Sequence, residues 1–161
     1  MSIVIAIAEP NEIEALFPLL LMAEPSERAL RWSLNNLSDT IYKVSKDEEV
    51  VGVATMRWQS EPCEIVELAV REDRQGQGIG KEIIEWLINE GRRRGKREIF
   101  VGTGNASIGN IVFYQRCGFR MDHVRRDYFW YYQEPIFEHG IAVRDMIVFR
   151  YMLADDEAHP G

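Results

Sequence analysis

The chain has 161 residues, 46% of them hydrophobic, and a formal net charge of −7. That length suits one domain with a real core, and the negative balance argues against a broad nucleic-acid or membrane surface and for a cationic partner such as an amine. No apolar run approaches the roughly 20 residues of a membrane span, the opening MSIVIAIAEP is too short and lacks the basic lead of a signal peptide, and the cysteines Cys63 and Cys117 form no CxxC pair, so a reduced, cytoplasmic setting is expected.

SIVIAIA is a short β-rich run and is read as the first strand. NEIEALFPLL follows as a helix, with Asn11 placed as its N-cap and Ile13, Leu16 and Phe17 at helical spacing; Ser26 is placed as the cap of a second helix, ERALRWSLNNL. TIYKVSK and VVGVATMRW read as strands joined by a charged hairpin turn, and EIVELAV as another. A glycine-rich segment then leads into a helix carrying Ile79, Ile83, Ile84, Leu87 and Ile88, which ends at EGRRRG with Gly95 as a left-handed cap. Its basic run, Arg92 to Arg94 with Lys96 and Arg97, is read as solvated charge at a helix C-terminus. REIFVGT is a strand, Ser107 to Cys117 a helix closed by Gly118, FRMDHVRRDYFWYY a long strand, QEPIFEHG a loop and IAVRDMIVFRYML the last strand. The order β-α-α-β-β-β-α-β-α-β-β predicts an α+β fold, a mixed sheet with helices against it. One domain is expected over residues 1–154, with a frayed tail over 155–161.

The segment REDRQGQGIGKEII places three glycines between a strand and a helix. A helix N-terminus offers free N–H groups and partial positive charge, and bare glycines let an anion approach it. A phosphate or pyrophosphate cradle follows. A Walker A loop fits poorly, because Gly80 and Lys81 are followed by Glu82 rather than a hydroxyl residue. A dinucleotide fingerprint fits poorly too, because Lys81 stands where its third glycine belongs.

Taken together, ELAVREDRQGQGIGKEII and GNASIGNIVFYQRCGF resemble the GNAT superfamily of acyl-CoA-dependent N-acyltransferases over residues 61–121. The stretch Gln75-Gly76-Gln77-Gly78-Ile79-Gly80 fits the family's Q/R-x-x-G-x-G/A loop, and FYQRCGF its second signature helix. The resemblance implies a three-layer α/β/α fold. Its mixed, mostly antiparallel sheet of about seven strands splays after the fourth, with about four helices and acetyl-CoA in the wedge. It further implies that main-chain N–H groups of Gln75, Gly76, Gln77, Gly78, Ile79, Gly80 and Lys81 cradle the CoA pyrophosphate. Leu68, Ala69 and Val70 would pair with the pantetheine arm, and a main-chain N–H, that of Leu68, would polarise the acyl carbonyl. Glu72, Arg74, Ser107 and Asn110 depart from the residues that many family members carry there.

Ser107, Asn110 and Tyr114 recur at helical spacing and form a polar stripe, which the resemblance turns toward CoA. Tyr114 then acts as general acid on the departing thiolate; a phenol of pKa about 10 stays protonated at neutral pH. Glu64 and Glu67 lie three apart on a strand, so they are expected on opposite faces, at most one of them facing the cleft. Some family members carry a glutamate base at the position of Glu64; others use ordered water. The run Tyr128-Phe129-Trp130-Tyr131-Tyr132 is expected to alternate along a strand, with Tyr128, Trp130 and Tyr132 on one face. With Glu134, Glu138 and Trp32 it either shapes the pocket of a cationic acceptor or fills a core or homodimer contact. His123, His139 and His159 show no ligand spacing, so no metal is expected. The expected function is an N-acetyltransferase moving the acetyl group of acetyl-CoA to a primary amine by direct attack. The alternatives are a non-catalytic acyl-CoA sensor of the same fold and a nucleotide-dependent enzyme.

Overall fold

A computed structural model describes residues 3–154; the tail expected over residues 155–161 lies outside the described residues. The strands are β1 (Val4–Ile7), β2 (Thr40–Lys46), β3 (Glu49–Arg57), β4 (Cys63–Val70), β5 (Glu98–Gly104), β6 (Arg120–Arg125), β7 (Phe137–Glu138), β8 (Ile141–Ala142) and β9 (Met146–Met152). The helices are α1 (Ile13–Ala23), α2 (Glu27–Asn36), α3 (Ile79–Arg93) and α4 (Ile108–Arg116). One mixed sheet runs β1-β2-β3-β4-β5-β9-β6, and β7 and β8 form a separate small hairpin. Every pairing in the large sheet is antiparallel except β4 with β5. Among the described residues no helix is long and apolar enough to cross a membrane.

Helices cover both faces of the sheet, so there are two cores. Alternation along β3 feeds both: Ala54 and Met56 enter one, Val53 the other. The larger core takes the α3 stripe Ile79, Ile83, Ile84, Leu87 and Ile88, each worth about 1.5–3 kcal/mol on burial. The smaller takes Leu16, Phe17, Leu19 and Leu20 of α1 and Leu30 of α2.

Helix ends follow local chemistry, with one correction. Ser26 caps α2 as expected, accepting the Ala29 N–H at 3.2 Å. Asn11 does not cap α1. It sits inside a short 3-10 turn, Pro10–Glu12, whose capping box is made by Glu9 and Glu12. Gly95 and Gly118 adopt φ of 71° and 96° after α3 and α4. The basic run is mostly exposed, as expected at a helix end; Arg93 and Arg94 also bind the buried Glu90, and Arg94 lies 4.6 Å over the Trp58 ring.

The long strand expected through the aromatic run ends at Arg125, and residues 126–131 form turns. The expected loop QEPIFEHG contributes Phe137–Glu138 to the small hairpin, and the last strand starts at Met146 rather than Ile141. Here β-propensity loses to tertiary context: β9 offers its edge to β6 only from Met146 to Arg150.

Candidate active site

β4 and β5 pair only through Cys63↔Ile99, Glu64↔Phe100 and Ile65↔Val101. Beyond Ile65 the strands part, the splay expected after the fourth strand, and leave a cleft of about 1960 Å³. The Glu67 N–H donates to Thr55 Oγ1 at 2.9 Å and the Arg71 N–H to the Val51 carbonyl at 2.7 Å, both on β3. Amides alternate sides along a strand, so those of Leu68 and Val70 point into the cleft. The edge of β4 is therefore an open template for an added strand-like ligand.

One end of the cleft is closed by the glycine turn. Gly76 and Gly78 adopt φ of +79° and +84°, and a Cβ at either would meet nothing within 4 Å. They serve backbone direction, and their bare surface leaves the first N–H groups of α3 open. Gly80 does something else. A Cβ there would come within 3.1 Å of the Phe113 ring, so this glycine lets α3 pack on α4. The Gln75 side chain donates to the Val70 carbonyl at 2.9 Å, tying the turn to β4, and Arg74 binds Glu49 at 2.8 Å. Arg74, Lys81 and Arg116 line this end. Gln77 sits exposed at the apex between two left-handed glycines, and Leu68, Ala69, Val70, Gln75, Gly76, Gly78, Ile79, Gly80 and Lys81 line the cleft.

Helix α4 forms the opposite wall. Ser107, Asn110 and Tyr114 all border the cleft. Ser107 donates to Glu138 Oε1 at 3.1 Å and Asn110 to Thr103 Oγ1 at 3.2 Å, so both stripe residues are anchored to protein. The Tyr114 ring is buried against Phe113, Phe119 and Phe149 at centroid distances of 5.2, 5.8 and 5.9 Å. Burial pushes its phenol well above the ordinary value, which keeps the proton on oxygen. Its hydroxyl has no protein partner among the described residues and is not sealed in, so it opens on the cleft.

The strand glutamates overturn the expectation of opposite faces. β3 pairs Arg57 with Glu64, Met56 with Ile65 and Thr55 with Glu67, which leaves Val66 as an extra residue in a bulge. The bulge shifts the alternation by one, so Glu64 and Glu67 lie on the same face and both line the cleft. Glu67 is 5% exposed. Its Oε2 accepts from Ser33 of α2 at 2.8 Å and its Oε1 from Thr55. Burial raises the pKa of Glu67 against the lowering effect of those two hydroxyls, and raises that of Glu64 against Arg125 and Arg57. Ser33 and Thr55 had no mark in the sequence, since a lone hydroxyl on a helix or strand carries no spacing signal.

The far end of the cleft is also rearranged relative to expectation. Tyr128, Trp130 and Tyr132 share no strand face. The chain turns there, Phe129 stacks on Tyr132 at 5.5 Å, and Trp130 is 82% exposed. Tyr131 and Tyr132 both donate to Glu24, at 2.6 and 2.7 Å, which pins the turn to the end of α1. Glu134, Glu138 and Trp32 border this end as well.

A sheet parted beside an open strand edge, a glycine turn opening a helix and a tyrosine across the gap define an acetyltransferase cleft. The chain belongs to the acetyltransferase (GNAT) family, whose model matches residues 11–119. Among its relatives, an uncharacterized N-acetyltransferase of Bacillus subtilis strain 168, YvbK, is 36% identical over 136 residues, 83% of this chain and 86% of its own. A GNAT family acetyltransferase from Elizabethkingia anophelis, solved with acetyl-CoA bound, matches with a TM-score of 0.85 at 32% identity over 93% of this chain and 97% of that one. A Bacillus subtilis acetyltransferase in complex with CoA matches with a TM-score of 0.84 at 35% identity over 95% of this chain and 100% of that one.

Proposed function

We propose that this protein transfers the acetyl group of acetyl-CoA to a primary amine by direct attack in a ternary complex. The observation that carries the reading is the break between β4 and β5 beyond Ile65, which turns the Leu68 and Val70 amides toward the Tyr114 wall. The cleft suits acetyl-CoA. The bare turn at Gly76 and Gly78 takes the diphosphate on main-chain N–H groups, with Arg74, Lys81 and Arg116 beside it. Leu68, Ala69 and Val70 run along the pantetheine arm, and Ser107 and Asn110 flank it from α4.

Acetyl-CoA supplies an activated thioester. The Leu68 N–H polarises its carbonyl, and Glu64 takes the proton that the ammonium must lose before its nitrogen can attack. As the C–S bond breaks, the Tyr114 hydroxyl gives its proton to the departing sulfur. The aromatic, carboxylate-lined end beyond Glu67 receives the cationic amine. A single domain over residues 1–154, a reduced cytoplasmic setting and a homodimer belong to the same proposal. Two free cysteines and exposed side chains such as Met121 and Val124 support the last two.

Thiol release from acetyl-CoA, measured across a panel of amines, tests the reading; at least one primary amine should give turnover. Thermal shifts with acetyl-CoA, ATP and NAD form the binding arm. Stabilisation by ATP or NAD and by no acyl-CoA sinks the proposal. Binding of acetyl-CoA with no turnover on any amine favours the sensor.

A further inference from the structure

The β4 bulge and two hydroxyls leave one buried carboxylate without a role in the proposed transfer. Glu67 is held from two elements, by Ser33 on α2 and Thr55 on β3. Thr55 accepts the Glu67 N–H, so its own hydrogen is directed to the Glu67 carboxylate. Both oxygens accept, so the two hydroxyls favour the charged carboxylate against the burial that raises its pKa. The bulge at Val66 brings this carboxylate onto the face of Glu64, so that both line the cleft.

Resting on acetyl transfer with Glu64 as base, we propose that Glu67 is a positioning residue for acceptor deprotonation: fixed by Ser33 and Thr55, it sets a second carboxylate beside Glu64, so that the pair takes up the single proton the ammonium releases. An N–H bond of the ammonium breaks, its electron pair stays on nitrogen as the nucleophile, and the proton goes to a Glu64 oxygen in the field of Glu67. Like charge makes Glu64 a stronger base than it would be alone. The other charged or titratable groups around the pair are Glu24 at the end of α1, Arg28 of α2, Arg57 of β3, Arg125 at the end of β6, and Arg126 and Tyr128 beyond it. Arg57 and Arg125 oppose the effect on Glu64, and Glu24 faces Glu67.

The test is the pH profile of kcat/KM for an accepting amine, measured on the intact protein at saturating acetyl-CoA. Glu67→Gln should move the acidic limb to lower pH by about one unit or more and leave the KM for acetyl-CoA unchanged. Thr55→Val keeps both carboxylates and frees one from its donor. It should move the limb in the same direction by less, and it decides the matter if Glu67→Gln does not fold. A limb that stays in place while only the melting temperature falls makes Glu67 purely structural and overturns the proposal. Glu64→Gln separates the two ideas, since loss of the limb there supports Glu64 as base whatever Glu67 does. A limb kept in Glu64→Gln but lost in Glu67→Gln overturns the pairing and makes Glu67 the base itself.

Discussion

At the glycine-turn end the cleft is built mostly from one continuous stretch, residues 68–81, with Arg116 of α4 beside it. At the other end it is side chains from separate parts of the chain: Glu24 after α1, Ser33 on α2, Thr55 on β3, Glu64 and Glu67 on β4, and Tyr131 and Tyr132 in the turn after β6. The first end needs only particular backbone angles and missing side chains. The second exists only once distant segments have packed. An anion can be recognised by peptide groups that any chain possesses, whereas a cationic acceptor calls for carboxylates that folding must bring together and keep charged.

Substitutions at the two ends should therefore fail differently. The largest effect is expected midway between them: Tyr114→Phe should lower kcat by about 10²-fold or more, while acetyl-CoA affinity in an equilibrium titration stays unchanged. Undiminished turnover breaks the assignment of the acid. Within the glycine turn, Gly80→Ala pushes a Cβ toward Phe113 and should cost about 1–3 kcal/mol of stability in a urea melt. Gly78→Ala meets no atom but must hold φ of +84°, so it should cost about 1–2 kcal/mol and also weaken acetyl-CoA binding. If Gly80→Ala weakens binding without destabilising the fold, the distinction between the two glycines is wrong.

At the acceptor end, Glu24→Gln weakens the charge-assisted bonds from Tyr131 and Tyr132. The KM of an accepting amine should rise roughly fivefold, for a loss near 1 kcal/mol, and that for acetyl-CoA should not move. The smallest expected effect is on stability. Burial raises the folded pKa of Glu67, so the stability it contributes is complete below the ordinary carboxylate value and lost as pH climbs through the raised one. The melting temperature of Glu67→Gln relative to the parent should accordingly improve as pH rises from about 4 toward neutrality. A difference that stays flat across that range contradicts a shifted Glu67.

How far each end could be read in advance follows from the same contrast. The polar stripe Ser107, Asn110 and Tyr114 and the apolar stripe of α3 came from helical periodicity, which is local. The expectation that Glu64 and Glu67 face opposite sides fails because strict alternation holds only in an unbroken strand, and the extra residue at Val66 is visible only against the neighbouring strand β3. The aromatic run after β6 has strong β-propensity, and was read as strand for that reason. It turns instead because Glu24, more than 100 residues earlier, offers a carboxylate to two of its hydroxyls.

By itself the sequence determined the strand–glycine–helix segment, the two signature stretches, the four helices and the class of ligand a bare helix N-terminus receives. All of these rest on interactions between residues a few positions apart. Tertiary structure alone decided the bulge that puts Glu64 and Glu67 on one face, the hydroxyls that hold Glu67, the role of Gly80 against Phe113 and the pinned turn at Glu24. Each of these depends on atoms far apart along the chain meeting within hydrogen-bond or van der Waals distance, and no local pattern encodes that meeting.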